Sequence, residues 1–314
     1  MLKLPLVSFV VTSYNYEKFI GKTLDSIINQ TYENIELIVV DDFSQDKSVE
    51  VIEHFITCNQ DKRITLIKHD KNKGQLAAML TGLSKARGQF ISFIDSDDII
   101  LPDYAKAHIK VHMVTSVAFT SSIIAEIDED DEIHTIYSVA CAQKDKHFKL
   151  KNLDELFKFD VEHPEFKLVN KPFGGWFWSP NSSAMFRKSS IEMLLKYKNT
   201  DKWKVCPDKF LFNFAHLIGG SAVIFEPITA HRRHSGNAGN SSYVCGNKKY
   251  NNDNVTYLNL KNNINIRPET LKFILSNKKD FQKIYGKKNT AKFILTVLSS
   301  YIYLIKQFIS FGIR

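Results

Sequence analysis

Apolar runs and helical patterns alternate along the first hundred residues. Four continuous apolar runs have the character of buried strands: Leu6–Ser13, Ile35–Asp42, Arg63–His69 and Gln89–Asp95. Between these runs, apolar residues recur at helical spacing, as in the segment from Phe19 to Ile28. The second helix is expected to open with Ser44 as its cap, and the third to end at Gly88. The alternation predicts an α/β fold with a mostly parallel central sheet flanked by helices.

The pattern loosens after residue 115. Two apolar segments, Val117–Asp128 and Glu132–Val139, predict a hairpin, and we interpret the acidic turn between them, Asp128–Asp131, as a solvated loop. Three later segments are a predicted buried helix at Cys206–Gly219, a predicted strand at Ser221–Pro227 and a stretch of linker composition at Gly246–Asn265.

Composition limits the class of protein. With 314 residues, 44% of them hydrophobic, the chain can bury a sizeable core in one large domain or two smaller ones. The four cysteines form no C-x-x-C pair, which favours free thiols in a reducing compartment over disulfides or structural zinc. The opening segment, MLKLPLVSFVV, is too short and too strand-like for a secretory signal, so we expect a cytoplasmic protein.

Positive charge is concentrated towards the C-terminus. The net charge of +8 divides into −3 over residues 1–225 and +11 over residues 226–314. Residues 278–314 combine several lysines with an apolar helical pattern, whose uncharged stretch Phe293–Ile305 is shorter than the roughly 20 residues that span a bilayer. This predicts an interfacial helix on the anionic inner face of the cell membrane, with packing on the domain or a homodimer as alternatives. Because the basic residues alternate with a long apolar helix, we expect no nucleic-acid partner.

The segment FISFIDSDDIILPDY places three carboxylates directly after a buried strand. Asp95, Asp97 and Asp98 lie within four positions. In a solvated turn that caps a helix near Pro102 they would be harmless. In an α/β sheet, however, the carboxyl ends of strands face the ligand crevice, where alternate carboxylates suit Mg²⁺ or Mn²⁺.

A second acidic pair, Asp41 and Asp42, ends the second strand. Either side chain could accept from a ribose hydroxyl or a base N–H, or could cap the next helix, a role that Ser44 also offers. The segment after the first strand reads TSYNYEKF, without the glycines of a dinucleotide-binding loop, which argues against a nicotinamide enzyme. Tyr14 in this segment could stack on a base or pack beside the sheet.

Histidines and tryptophans provide further candidates. His108 and His112 lie four apart on a predicted helix, but no third ligand accompanies them, so surface positions are favoured over a metal site. Trp176 and Trp178 lie in a glycine-rich segment, where core packing and contact with an acceptor sugar are equally consistent with the pattern. The basic loop at 231–237, HRRHSGN, could meet phosphate or belong to the basic tail.

Taken together, these stretches resemble the family 2 glycosyltransferases, which have the GT-A fold. The likeness is strong over residues 6–115, through VSFVVTSYNYEKFIGKTLDSIINQTYENIELIVVDDFSQD and NKGQLAAMLTGLSKARGQFISFIDSDDIILPD. It is weaker over residues 173–240, where SSAMFRKS, CPDKFLF and HRRHSGN are similar to family motifs. The chain departs from the family at Thr12, a usual proline, at Phe43, a usual glycine, and at Gln45, a usual threonine.

The resemblance implies roles for the matched residues. Asp208 is implied to be the general base for the acceptor, although Pro207 precedes it where the family often has an acid. A divalent cation, Mn²⁺ or Mg²⁺, is implied to bind Asp97, Asp95 and His234. Trp176 and Trp178 are the candidate acceptor contacts. The donor is expected to contact Thr12, Tyr14, Asn15, Asp41, Asp42, Asn72, Gly74, Gln75, Asp95, Ser96, Arg232 and His234.

The implied activity is an inverting transfer from a nucleotide-diphosphate sugar, expected to be a UDP-sugar, to a saccharide or lipid-linked saccharide in bacterial surface-polysaccharide synthesis. The implied catalytic domain covers residues 1–240, with a donor-binding half at 1–115 and an acceptor-binding half at 116–240, followed by a basic helical extension at 241–314. The alternatives are a non-catalytic nucleotide-sugar-binding module at a membrane surface and a nucleotidyltransferase. The latter would carry a Gly-rich loop with Arg or Lys after the first strand, which TSYNYEKF lacks.

Overall fold

Strands and helices alternate in the computed structural model, which describes residues 4–137, 153, 156, 161–169, 178–234 and 266–312. The strands are β1 (Val7–Ser13), β2 (Ile35–Asp41), β3 (Ile64–Lys68), β4 (Phe90–Asp95), β5 (Ile99–Ile100), β6 (Phe119–Ile127), β7 (Ile133–Tyr137), β8 (Phe166–Val169), β9 (Ala184–Arg187) and β10 (Ser221–Arg232). The helices are α1 (Ile20–Ile28), α2 (Ser48–Asn59), α3 (Gln75–Lys85), α4 (Tyr104–Val114), α5 (Lys188–Ile191), α6 (Asp208–Gly219), α7 (266–276), α8 (Lys278–Tyr285) and α9 (Lys287–Gly312).

One sheet contains all of these strands. Its order is β3-β2-β1-β4-β9-β6-β10-β5, with β7 paired to β6 and β8 paired to β10. The first four strands are parallel, as predicted. Beyond β4 the sheet is mixed, because β9 runs antiparallel to both β4 and β6 while β10 runs parallel to β6. The predicted hairpin is confirmed as β6 and β7.

The continuous apolar runs are explained by helices on both faces of the sheet. Alternate side chains of β1 enter two different cores: Val10 packs with the α3 residues Leu76 and Met79, whereas Phe9 packs with Ile20 and Leu24 of α1. Because successive strand residues point to opposite faces, a strand covered on both sides needs apolar residues at nearly every position.

Two predicted helix ends differ from the structure. Ser44 does not cap α2, which begins at Ser48; instead the Ser44 hydroxyl donates to Asp41 and accepts from the backbone N–H of Asn15 at 3.0 Å. Gly88 does not end α3, which ends at Lys85. A Cβ at Gly88 would lie 2.6 Å from the carbonyl oxygen of Leu6, so this glycine permits the close approach of β1.

The C-terminal helices pack on the sheet domain. Phe281 of α8 and Phe293 and Val297 of α9 belong to the same buried cluster as Phe210 and Phe214 of α6. In the part of the chain that the structure describes, no helix has the length and apolar character needed to cross a membrane. The predicted linker, Gly246–Asn265, lies outside the described residues, and the domain boundary at 240 stays a prediction.

Candidate active site

A cleft of about 950 Å³ opens at the sheet edge where β1, β2 and β4 end. Parallel strands that end together place the polar residues following each strand side by side. The structure therefore brings together residues that are far apart in the sequence. The predicted site residues that line the cleft are Thr12, Tyr14, Asn15, Asp42, Asn72, Gly74, Gln75, Asp95, Ser96, Asp97, Asp208 and His234.

Three acids, Asp95 at the end of β4 and Asp97 and Asp98 directly after it, are called the acids after β4, and each has a different partner. Asp95 Oδ1 accepts from Gln75 Nε2 at 2.7 Å, and Asp97 Oδ2 lies 3.0 Å from His234 Nε2. Asp98 is fully buried, and its Oδ1 lies 2.9 Å from His231 Nδ1. The three acids are thus held apart by groups from α3 and from the end of β10.

Burial and mutual repulsion govern the protonation of these acids. Burial, together with the charges of Asp98 and Asp97, raises the pKa of Asp95 well above its ordinary value. Burial and the Asp98 charge raise the pKa of Asp97 as well. For Asp98, burial is outweighed by the adjacent His231 charge, so its pKa is lowered. The raised pKa values of Asp95 and Asp97 therefore reflect burial and the closeness of like charges.

His231 supplies a fixed positive charge. Burial opposes its protonation, but the Asp98 carboxylate and its hydrogen bond raise the pKa of His231 to about 9. His231 lines the cleft, so a charged imidazolium would face an anionic ligand there at neutral pH.

Asp208 is the first residue of α6 and lines the cleft. Its Oδ1 accepts from the backbone N–H of Lys209 at 2.9 Å, as an acid in the first turn of a helix can. Burial raises the pKa of this carboxyl above its ordinary value. A raised pKa makes a carboxylate a stronger proton acceptor.

The loop before α3 forms another wall. Asp42 Oδ1 and Oδ2 accept from the backbone N–H groups of Lys73 and Gly74 at 2.9 and 2.7 Å. Gly74 has φ +86°, and a Cβ there would lie 2.7 Å from Lys204 Cα, so only glycine fits.

The acids after β4 are suited to a divalent cation that is bound to a diphosphate. Among the described residues, no three His, Cys, Asp or Glu side chains form a complete metal site. Asp95, Asp97 and His234 nevertheless face the same cleft. Mg²⁺ characteristically uses one or two carboxylates and takes its remaining ligands from phosphate and water, and Mn²⁺ also prefers oxygen ligands. This donor set is therefore suited to a diphosphate-bound cation and not to a cage built by the protein alone.

Residues 8–195, which include the acids after β4, match the family model described as Glycosyl transferase family 2. That match covers more than half of the chain. The chain belongs to glycosyl transferase family 2. An uncharacterized glycosyltransferase of Haemophilus influenzae is 34% identical over 173 residues, which are 54% of this chain and 68% of that protein.

Two solved structures share the fold at low sequence identity. S. aureus TarS in complex with UDP-GlcNAc has a TM-score of 0.53 and 17% identity, over 95% of this chain and 81% of that chain. The mannosyltransferase PcManGT from Pyrobaculum calidifontis, with GDP-Man and Mn²⁺, has a TM-score of 0.53 and 15% identity, over 95% and 74% of the two chains. The predicted GT-A fold of this family 2 chain is confirmed.

Two predicted donor contacts of this family 2 glycosyltransferase lie outside the cleft. Asp41 accepts from the backbone N–H and the hydroxyl of Ser44, so its carboxylate stabilises the loop after β2. Arg232 is fully buried; its Nε donates to the carbonyl oxygen of Asp97 at 2.9 Å, and its Nη1 pairs with Asp131 at 2.6 Å. Arg232 therefore supports the loop of acids from behind, and Asp131 is not simply solvated.

The aromatic and histidine candidates also need correction. Trp178 is buried, and its Nε1 donates to Ser221 Oγ at 2.9 Å, so it is a core residue and not an acceptor platform. Trp176 lies outside the described residues. His108 and His112 are not surface residues, since both lie on α4 and are buried in the core.

Several cleft residues were not predicted from the sequence, among them Arg233 and Tyr16. Arg233 lines the cleft beside His231, whereas Arg232 between them points the other way. The predicted strand ended at Pro227, whereas β10 continues to Arg232. A longer predicted strand would have placed Arg232 and Arg233 on opposite faces of the sheet, because successive strand residues alternate. Tyr16 also lines the cleft, and burial with the charges of the neighbouring acids raises its pKa far above the ordinary value. Its hydroxyl therefore stays protonated and can donate to an anionic ligand.

Proposed function

We propose that this protein is an inverting glycosyltransferase that transfers a sugar from a nucleotide-diphosphate donor to a saccharide or lipid-linked saccharide, in bacterial surface-polysaccharide synthesis. The observation that carries the proposal is the placement of two separate acidic groups in one cleft, Asp95 and Asp97 after β4 and Asp208 at the start of α6. The solved neighbours, whose complexes contain UDP-GlcNAc and GDP-Man, support a donor of this class, and we expect a UDP-sugar.

The donor would lie along the strand ends. The ring of Tyr14 is exposed beside the cleft and can stack on the base, while Asp42 can accept from the nucleoside. Asp97, with Asp95 and His234, would hold Mn²⁺ or Mg²⁺, which when bound supplies Lewis-acid stabilisation of the departing diphosphate. His231 and Arg233 place further positive charge at the same wall.

Asp208 would act on the acceptor. The acceptor hydroxyl oxygen attacks the anomeric carbon from the face opposite the diphosphate, and Asp208 takes the hydroxyl proton. The bond from the anomeric carbon to the diphosphate oxygen breaks, and its electron pair leaves with the diphosphate. A single displacement inverts the anomeric configuration and needs no covalent enzyme intermediate.

The test compares Asp97→Ala with Asp208→Asn, using release of UDP from UDP-sugars in the presence of Mn²⁺ and acceptor. We expect Asp97→Ala to abolish turnover and weaken donor binding. Asp208→Asn should keep donor binding and lose transfer by roughly 10²- to 10⁴-fold, the usual contribution of a general base. Asp25→Asn, on the exposed surface of α1, is the matched control and should behave as wild type.

Two outcomes would contradict the proposal. Wild-type protein that binds nucleotide-sugars without turnover, across a panel of donors and acceptors, would favour the binding module. Transfer of a nucleotidyl group with release of pyrophosphate would identify a nucleotidyltransferase.

The exposed face of α9 supports contact with an anionic membrane surface, where a lipid-linked acceptor would be found. Phe293, Val297 and Leu304 pack inward, whereas Leu295 and Ile302 are 66% and 54% exposed. No Asp or Glu occurs in α9, which carries Lys287, Lys288, Lys292 and Lys306. Two copies of this helix would repel each other, but the same charges complement anionic lipid.

Vesicle flotation tests this contact. We expect the protein to bind vesicles containing phosphatidylglycerol but not vesicles of phosphatidylcholine alone, and the double variant Leu295→Asp with Ile302→Asp to lose binding. Met113→Asp, a change of the same kind at an exposed position of α4, should keep it. No flotation by the wild type, or a dimer in solution that the double variant dissociates, would overturn the membrane assignment.

A further inference from the structure

Glu269 of α7 joins the C-terminal helices to the segment that leads into the cleft. The residue is 8% exposed, and its carboxylate accepts from Tyr197 Oη at 3.1 Å and from Asn199 Nδ2 at 3.0 Å. Lys202 Nζ donates to its other carboxylate oxygen. Three donors from one short stretch, residues 197–202, therefore converge on one carboxylate of the C-terminal region.

The residues directly after this stretch form a wall of the cleft. Lys204, Val205 and Cys206 all line it, and Asp208 follows two positions later. The carbonyl oxygen of Lys204 accepts from the backbone N–H of Gln75 at 3.0 Å. Gln75 Nε2 also donates to Asp95 Oδ1 at 2.7 Å, so Gln75 alone connects this wall to the acids after β4.

The backbone of this wall is strained. Cys206 has φ +53°, a left-handed conformation that is unfavourable for a residue with a side chain and especially before Pro207. Such a conformation persists only where the surroundings hold it. Glu269 holds the start of the stretch, and Trp203 is fixed by stacking on Phe210, with ring planes 12° apart.

The same region also fixes α6. Arg267 is fully buried, and its Nη1 donates to Asn213 Oδ1 at 3.0 Å. Asn213 in turn donates to the carbonyl oxygen of Lys209 at 2.6 Å, in the first turn of α6 beside Asp208. The C-terminal helices thus contact both segments that bring Asp208 to the cleft.

We propose that Glu269 is a positioning residue for the transfer reaction: it holds residues 204–206 against Gln75, and so maintains the spacing between Asp95 and Asp208. The proposal rests on the proposed function. It gives the C-terminal region a role inside the enzyme in addition to any contact with a membrane.

The test compares Glu269→Ala with Asp280→Ala. Asp280 also joins the C-terminal helices to the body, but its exposed ion pair is with Lys196 at 2.6 Å and not with a residue of the stretch 197–206. The first readout is the rate of alkylation of Cys206, resolved by peptide mass spectrometry, with the exposed thiol of Cys58 as internal reference. Release of the wall should speed alkylation of Cys206 in Glu269→Ala only, with the Cys58 rate unchanged.

The second readout is steady-state kinetics. Glu269→Ala is expected to raise the KM for the donor and to lower kcat/KM by about tenfold, as small misplacements of reacting groups do. Glu269→Gln, which keeps an acceptor for Tyr197 and Asn199, should recover part of this loss. Asp280→Ala should change neither value.

Equal Cys206 alkylation in wild type and Glu269→Ala would overturn the proposal. So would a loss of kcat that follows the thermally unfolded fraction while the donor KM stays constant, because that result describes a purely structural residue. A wild type without turnover would refute the proposed function, while the alkylation rates would still decide whether Glu269 holds the wall.

Discussion

The histidine pair of α4 and the single histidine His231 are both largely buried, but burial affects the pKa of each in a different environment. His108 and His112 lie on α4 in the core, where burial lowers the pKa of His108 well below its ordinary value and that of His112 to about 3. His231 lies at the cleft, where Asp98 raises its pKa to about 9 against the effect of burial. Burial alone therefore neutralises a histidine, whereas burial beside a carboxylate keeps it charged. A histidine's partner, and not its depth, decides whether it can serve an anionic ligand.

The largest expected effect is that of Asp98→Asn, which removes the charge that balances His231. Because an unpaired buried charge is costly, we expect a loss of about 3–5 kcal/mol in the free energy of unfolding, measured with urea. Asp128→Asn is the matched control, since Asp128 pairs with His134 at 2.7 Å on the surface. Its loss should stay below about 1 kcal/mol. Equal losses at the two sites would refute the difference between the buried and exposed pairs.

The next effect is the pH dependence that the core pair should impose. Below about pH 6.5, His108 and His112 bind protons in the unfolded state but stay neutral in the folded state. Each of them therefore lowers the free energy of unfolding by about 1.4 kcal/mol for every pH unit of acidification. For His112 this fall continues down to about pH 3. For His231 the sign is opposite: its contribution is complete below pH 6.5 and is lost as the pH rises through about 9.

His112→Leu tests this expectation. The variant should lose stability near pH 8, because His112 Nε2 no longer donates to the Met185 carbonyl oxygen at 3.0 Å. It should nevertheless show a shallower fall of the unfolding free energy towards acid pH. The exposed His163→Leu should leave the slope unchanged, and an unaltered slope in His112→Leu would mean that His112 is charged in the folded core.

The smallest effect on stability is expected at Trp178. Like His108 and His112, Trp178 is a core residue of a type that is often found in binding sites. Trp178→Phe keeps an aromatic ring and loses the hydrogen bond to Ser221, which should cost about 1 kcal/mol of stability. Thermal unfolding measures the loss, and the acceptor KM should stay constant. A raised acceptor KM with unchanged stability would contradict this assignment and indicate that Trp178 contacts the acceptor.

Residues near the strand ends could be predicted from the sequence because their positions follow from local pattern. The apolar runs located β1 to β4, and the polar residues after them, such as Asp42 and Asp95, indeed line the cleft. Contacts between distant segments could not be predicted in this way. No local pattern distinguishes Asp41, which binds Ser44, from Asp42, which faces the cleft. Likewise, Trp178 and His108 are residue types that are common in binding sites, but both are buried in the core.

During translation, the acids after β4 are synthesised long before the residues that contact them. His231 and Arg232 follow Asp98 by 133 and 134 positions, and His234 follows Asp97 by 137. In a growing chain these acids therefore remain exposed to water until β10 has left the ribosome and paired with β6. Any translation product that stops short of residue 231 lacks His231, Arg232 and His234, the groups that contact these acids. The cleft is thus completed by β10, and a chain that ends before this strand lacks His231, Arg233 and His234 from its lining.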